Sequence, residues 1–298
     1  MTPPTAPSGA RVAPTVATVL HAATRRLSEA GIATARQDAE TLLARELGTT
    51  RLGLHTAARA SVADDVLAAF DGLVARRAQH EPFQYLVGEA EFCGLRLAVG
   101  PGVFIPRPET ETLAERALAL GPTPAATVLD LCAGSGALAC ALAARRPGWR
   151  IWAVEQARAA ATVARGNVRR LGLEGRVQVL EGDLWAPLAG HVPPGAVDLV
   201  VANPPYLAAP LVPALPAEVR EWEPGGALEG GPDGLVVIRR LLREAAAWLR
   251  PGGTLLVEIG EDHRPAVTAL AGAEPRYGEA RVHRDFRGQD RILEVWRR

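Results

Sequence analysis

The sequence predicts an α/β protein: a mostly parallel sheet flanked by helices, closed by a C-terminal antiparallel hairpin and preceded by a small helical bundle. Three observations predict it. From Ala126 onward, short apolar runs alternate with helical stretches, the order required by a parallel sheet with helices on both faces. Before that, from Val16 to about His80, apolar residues recur at helical spacing. At the far end, Val282 and residues 291–296 read as a closing hairpin.

The elements follow in order. Residues 1–13, rich in Pro, Thr and Ala, read as a disordered tail and not as a signal peptide. Val16, Leu20, Ala23 and Leu27 share one helical face, and Gly31 sits where a C-cap would. Thr34-Ala35-Arg36-Gln37 has the form of a capping box opening a second helix, which stops at Gly48. Ser61 can cap a third, with Val66, Leu67, Phe70, Leu73 and Val74 as its buried stripe. Residues 14–82 therefore form a helical module for recognition or packing. Residues 83–108 change character: 84–88 and 91–97 read as short strands or a hairpin, and Pro106 and Pro108 hold the next piece extended as a linker. Glu109-Thr110-Glu111 opens a helix with acids in its first turn. The last domain, 109–298, carries strands at 127–131, 151–155, 177–180, 197–202 and 253–259, with helices at 137–145, 159–171 and 235–249.

Composition bounds the function. Hydrophobic residues make up 48% and charged residues 22%, so a packed core is expected. Lys+Arg and Asp+Glu are equal at 33, which advertises neither a nucleic-acid nor a membrane surface. Three cysteines without a C-x-x-C pair argue against a disulfide framework and point to a reducing, cytoplasmic setting. No apolar run is long enough to span a bilayer, and the six histidines lack ligand spacing, so no metal is expected.

Two stretches carry chemistry. The first is the turn Cys132-Ala133-Gly134-Ser135-Gly136 after the strand that ends in Asp130-Leu131. Gly134-x-Gly136-x-x-Ala139, with Glu155 at the next strand's end, satisfies the dinucleotide fingerprint, so a dehydrogenase must be weighed. The acids count against it. Asp130, Glu155 and Asp183 stand at three successive strand ends, where they would repel a diphosphate and suit a ligand bearing positive charge. S-adenosylmethionine, with its sulfonium and α-ammonium groups, fits better than NAD. Glu155 would take the ribose hydroxyls. Asp183 or the backbone after it would meet the adenine amine, and Leu184 or Trp185 would lie against the ring.

The second stretch is Asn203-Pro204-Pro205-Tyr206, at the C-terminal end of an apolar strand that the two prolines terminate. Ligands bind at that edge of open α/β sheets. The Asn203 side-chain carbonyl and the Pro204 backbone carbonyl can both accept from one NH2 group, and Tyr206 can stack on a planar acceptor. A conjugated NH2 is a poor nucleophile because its lone pair is delocalised. Fixing both N–H bonds aims that lone pair at a methyl donor and stabilises charge as it develops.

With these stretches in view, the chain resembles the HemK/PrmC family, protein-(glutamine-N5) methyltransferases with a Rossmann-like S-adenosylmethionine-dependent domain. The resemblance rests on Asp38-Ala39-Glu40-x-Leu42-Leu43, Gln84-Tyr85-Leu86-Val87-Gly88, 105–111, 130–136, 203–206, Glu223-Pro224-x-x-Ala227-Leu228, 230–235 and Arg284-Asp285-Phe286 before Asp290-Arg291. It implies transfer of a methyl group to the glutamine of a Gly-Gly-Gln loop in bacterial class-1 peptide-chain release factors, with the helical domain helping to grip that protein. It also implies that residues 132–136, Glu155, Leu184 and Asn203 contact S-adenosylmethionine and that 203–206 hold the glutamine amide. Two residues depart from the pattern: Cys132 replaces a usual glycine and Glu155 a usual aspartate. A side chain at 132 requires that residue to keep φ negative. The alternatives are an N6-adenine DNA or RNA methyltransferase, using the same Asn-Pro-Pro-Tyr chemistry, and a non-catalytic S-adenosylmethionine-binding protein.

Overall fold

A computed structural model describes residues 13–121 and 124–298. The expected tail lies, up to residue 12, outside the described residues. The chain forms two compact units, Met1–Val87 and Gly88–Arg298.

The first unit is helical. Helix α1 (Val16–Glu29) is capped by the Thr15 hydroxyl, which accepts from Thr18 N, and the chain leaves it through Gly31 at φ 78°. Helix α2 (Ala35–Glu46) starts without the expected capping box, because Thr34 sits at ψ 19°, away from the extended backbone that aims a cap side chain at the first turn. An unexpected short helix, α3 (Arg51–Thr56), is capped by Thr50. Helix α4 (Asp64–Arg77) begins after Ala63 and not at Ser61, which instead forms an antiparallel bridge with Thr15. Its acids Asp64 and Asp65 and its basic residues Arg76 and Arg77 stand at the ends the macrodipole prefers. Residues 84–88, expected as a strand, belong instead to helix α5 (Phe83–Val87) and the glycine after it. Pro82 O accepts from Tyr85 N and Leu86 N, and Phe83, Leu86 and Val87 turn onto the bundle core. That core is Leu27, Leu42, Leu43, Leu54 and Phe70, all buried. Asp38 and Arg77 form a buried ion pair at 2.7 Å, and Glu40 accepts from Arg36 and Arg51. The acids of the Asp38-Ala39-Glu40 motif are thus braces inside the bundle.

The second unit opens with a hairpin, β1 (Glu89–Phe92) and β2 (Leu95–Ala98). Cys93 and Gly94 both have positive φ, as a two-residue hairpin turn matching strand twist demands. Helix α6 (Pro108–Leu120) follows, with Pro108 in its first turn. Then come β3 (Thr127–Leu131), α7 (Ala137–Arg145), β4 (Arg150–Glu155), α8 (Arg158–Arg170), β5 (Val177–Glu181), β6 (Val197–Ala202), α9 (Ala217–Arg220), α10 (Val236–Trp248), β7 (Leu249–Glu258), α11 (Arg264–Gly272), β8 (Arg281–Arg284) and β9 (Asp290–Trp296). Helices α9 and α11 are additions to the sequence reading.

The sheet order is β5-β4-β3-β6-β7-β9-β8. The first five strands pair in parallel, and β9 runs antiparallel between β7 and β8, which is the expected closing hairpin. The chain moves outward from β3 through β4 to β5, then returns to β6 on the other side of β3. That reversal creates the switch point at which α/β sheets bind ligands. Register fixes what meets there: Leu131 of β3 is the partner of Ala202 of β6, so Cys132 and Asn203 leave neighbouring strands side by side. Apolar layers cover both faces of the sheet, centred on Leu138, Cys140 and Trp149 on one side and on Ile238, Leu241 and Leu255 on the other.

Candidate active site

A cavity of about 680 Å³ occupies the switch point. The turn after β3 forms one wall. Ala133 N donates to Val154 O of β4 at 3.0 Å, and Gly136 N donates to Ala133 O at 2.8 Å. This tie to β4 swings the chain through a left-handed conformation, and Cys132 adopts φ 61°. The requirement of negative φ at Cys132 is therefore not met: a residue with a Cβ holds a backbone conformation that costs roughly 1–2 kcal/mol more than it would for glycine. Burial and the carboxylates of Glu155, Asp130 and Asp183 push the Cys132 thiol up, so it stays protonated. Gly134, at φ 56°, lines the cavity with no atom where its Cβ would stand, while a Cβ at Gly136 would press Ala164 of α8 at 3.2 Å.

The acids behave differently from one another. Glu155 lines the cavity, and its carboxylate accepts from Gly134 N at 2.7 Å and Ala157 N at 2.7 Å. Asp130 does not reach the wall. It is 0% exposed, and its Oδ2 accepts from Ala139 N in the first turn of α7. Burial, opposed by that bond, pushes Asp130 up to about 7, and its Oδ1 has no partner. Asp183 lines the cavity but is held by Nη1 and Nη2 of Arg240, at 3.1 and 2.9 Å. The expectation of three free carboxylates around one pocket is thus corrected: one is buried, one is neutralised by Arg240, and Glu155 alone meets the cavity without a cation. Two amides of this wall, Gly134 N and Ala139 N, already serve carboxylates, which leaves fewer donors for a diphosphate.

Other residues hold this wall in place. Asn167 of α8, fully buried, donates to Ser135 O and Ala98 O and accepts from Ala98 N, joining the turn to β2. Ser135 Oγ is buried without a partner. Leu184 lines the cavity at φ 46°, whereas Trp185 turns into the core and stacks on Trp248 at 5.8 Å.

The opposite wall is the turn after β6. Asn203, Pro204, Pro205 and Tyr206 all line the cavity. One end of the Asn203 side-chain amide meets Thr110 Oγ1 of α6 at 3.0 Å, which leaves the other end for the cavity. The Tyr206 hydroxyl donates to Glu258 Oε1 at 3.3 Å, and its ring meets His263 edge-on. Burial pushes the Tyr206 phenol up, so it stays neutral. The glycine-rich stretch 230–234 packs against this turn. A Cβ on Gly230 would stand 2.6 Å from Pro205 O, and one on Gly234 2.2 Å from Tyr206 O. At the rim, Arg107 pairs with buried Glu223, which also accepts from Ile105 N at 3.2 Å, and Arg107 stacks over Phe104. Glu223 is therefore a clamp on the extended 105–107 segment and not among the residues that line the cavity.

The chain is similar to known proteins over most of its length. The description "PrmC N-terminal domain" matches residues 18–88 and "Methyltransferase small domain" matches 109–212. A release factor glutamine methyltransferase of Moorella thermoacetica is 43% identical over 95% of this chain and 99% of its own. The chain belongs to the release factor glutamine methyltransferase family. One from Mycolicibacterium smegmatis is 44% identical over 94% of this chain and 97% of its own. Among solved structures, the catalytic domain of hMettl16 in complex with MAT2A 3'UTR hairpin 6 has a TM-score of 0.55 at 16% identity, covering 78% of this chain and 82% of that one, a likeness of fold alone. The chain is thus a methyltransferase with a Rossmann-like sheet.

Within this family member, the residues to which sequence reasoning gave no site role are supports: Thr110, Asn167, Arg240 and Glu258; Glu223, which the sequence left between lining the substrate mouth and capping the fold, is a support as well. Two left a signal. Glu258 is an acid ending an apolar strand, and Thr110 lies inside the 105–111 stretch on which the family resemblance partly rests. Among the described residues no group of His, Cys, Asp or Glu could hold a metal ion, and no helix is long and apolar enough to cross a membrane.

Proposed function

We propose that this chain transfers a methyl group from S-adenosylmethionine to the side-chain nitrogen of the glutamine in a Gly-Gly-Gln loop of peptide-chain release factors. The observation that carries the reading is that the glycine turn and the Asn-Pro-Pro-Tyr turn face one cavity from neighbouring strand ends. The residues fit the donor. Glu155 presents a carboxylate with spare lone pairs for the ribose hydroxyls, Leu184 an apolar face for the base, and 132–136 a cradle for the amino-acid end, where Ser135 Oγ lacks a partner. Bound there, S-adenosylmethionine would supply a methyl carbon on cationic sulfur for transfer to the amide nitrogen, the sulfur keeping the bonding pair and one N–H proton leaving to water.

The chain's own part is orientation. Asn203 Oδ1 and the Pro204 carbonyl accept the two N–H bonds of the glutamine amide, and Tyr206 lies against its plane. Both carbonyls strengthen their hold as nitrogen becomes positive. No side-chain base is needed, and the neutral Tyr206 offers none.

The test is methyl transfer from labelled S-adenosylmethionine to a Gly-Gly-Gln release factor, to its Gln→Ala version, and to single-stranded and duplex oligonucleotides. Label on the unmodified factor alone, located on that glutamine by mass spectrometry, is the expected result. Label on nucleic acid, or on neither, overturns the substrate. Asn203→Ala should lower kcat by about 10²–10³ with donor affinity largely kept; full activity in that variant overturns the mechanism.

A further inference from the structure

The Asn203 amide can turn either end to the cavity, and only the carbonyl serves an NH2 acceptor. Its partner Thr110 does not settle the choice, because a hydroxyl both donates and accepts. The group behind Thr110 does. Glu258, the last residue of β7, is 1% exposed and does not line the cavity. The Thr110 hydroxyl faces its carboxylate and stabilises its charged form, the Tyr206 hydroxyl donates to its Oε1, and its Oε2 has no partner within hydrogen-bond distance.

An ionised carboxylate can only accept. Thr110 therefore sends its proton toward Glu258 and turns lone pairs to Asn203, which answers with N–H and leaves Oδ1 for the cavity. Tyr206 likewise sends its proton to Glu258, which fixes the plane of its ring.

We propose that Glu258 is a positioning residue: through Thr110 it sets which end of the Asn203 amide faces the cavity, and through Tyr206 it sets the ring beside it, so that the site selects an NH2-bearing acceptor. The inference rests on the function proposed above. It also gives the C-terminal hairpin motif a purpose. Asp285 accepts from Arg287 N, Gln289 N and Arg291 Nε, and this holds Arg291, which donates to Ile259 O, beside Glu258.

Four groups act on the Glu258 charge. Arg291, Thr110 and Tyr206 favour the carboxylate, and Glu109 of α6 opposes it; burial outweighs them and pushes Glu258 up to about 7. The polarity of the network is therefore complete on the alkaline side of neutrality, and kcat should rise with pH through that region.

The experiment compares Thr110→Val, Thr110→Ser and Glu258→Gln. Steady-state transfer to the release factor is measured between pH 6 and pH 9 alongside the Asn203 side-chain NH2 signals in 15N NMR. Thr110→Val should lower kcat by up to about 10²-fold, the scale of a misplaced catalytic group, with the Kd for S-adenosylmethionine unchanged. Thr110→Ser should restore most of that loss, and Glu258→Gln should lose the inflection near neutral pH. In both deficient variants the Asn203 NH2 signals should shift. Unshifted signals, or Thr110→Ser as inactive as Thr110→Val, overturn the inference. Shifted signals in a protein whose wild type methylates no release factor would leave the network standing and refute the substrate instead.

Discussion

Adding one methyl group at Gly234 tests how the acceptor wall is held. Gly234 has φ +75°, and a Cβ there would stand 2.2 Å from Tyr206 O and 3.1 Å from the His263 ring. Gly234→Ala therefore meets two costs: about 1–2 kcal/mol for an L-residue in the left-handed region, and about 1–3 kcal/mol for overpacking against backbone. Reduced freedom of the unfolded chain returns up to about 1 kcal/mol. The net loss is roughly 1–5 kcal/mol. The control is Gly166→Ala in α8, where nothing lies within 4 Å and φ is not positive; the same methyl should stabilise by about 0.5–1 kcal/mol. All six tryptophans lie beyond residue 148, so their fluorescence during denaturant unfolding reports on the second unit alone. Gly234→Ala should also lower kcat by about 10², because relief of the clash moves the 203–206 turn. A Gly234→Ala protein with an unfolding midpoint at or above wild type and unchanged turnover would refute the packing argument, and with it the account of why residues 230–234 are rich in glycine.

Two further outcomes are expected. In the first unit, Arg77→Met leaves the Asp38 carboxylate buried without its 2.7 Å partner, which should cost about 3–5 kcal/mol, read as helix loss by circular dichroism; a loss below about 1 kcal/mol would show that Asp38 is solvated. In the second, Asp130 titrates near 7 in the folded chain and near 3.8 when unfolded. The folded state then holds the extra proton between those values, so stability should fall as pH rises from about 4 to 7, by at most about 1.4 kcal/mol per pH unit. Asp130→Asn, which still accepts from Ala139 N, should flatten that slope in tryptophan-monitored unfolding; an unchanged slope would place the titration elsewhere.

How much of this was legible in the sequence depends on the distance over which each feature is determined. The strands from β3 to β7 and helices α7, α8 and α10 follow from local periodicity, and the two cavity-lining turns from residues that force a chain reversal. Local rules failed where long-range packing decided. Residues 84–88 carry the strand formers Tyr85 and Val87, yet Phe83, Leu86 and Val87 pack on the bundle as a helix. Ser61 is a good cap, but its backbone was taken by Thr15. Cys132 keeps a positive φ because Ala133 N is bound to Val154, a tie that a single-strand reading cannot contain. The site supports were hidden for the same reason. Arg240 lies 57 residues from the Asp183 it neutralises, and Asn203 lies 93 from Thr110.

The side-by-side exit of Cys132 and Asn203 from β3 and β6 has a consequence for how such a site can change. Neighbouring strands are locked about 4.8 Å apart by their ladder. The points at which the two turns leave the sheet are therefore fixed by the main chain, and substitutions in either turn can retune what each half grips while those two exits stay where they are.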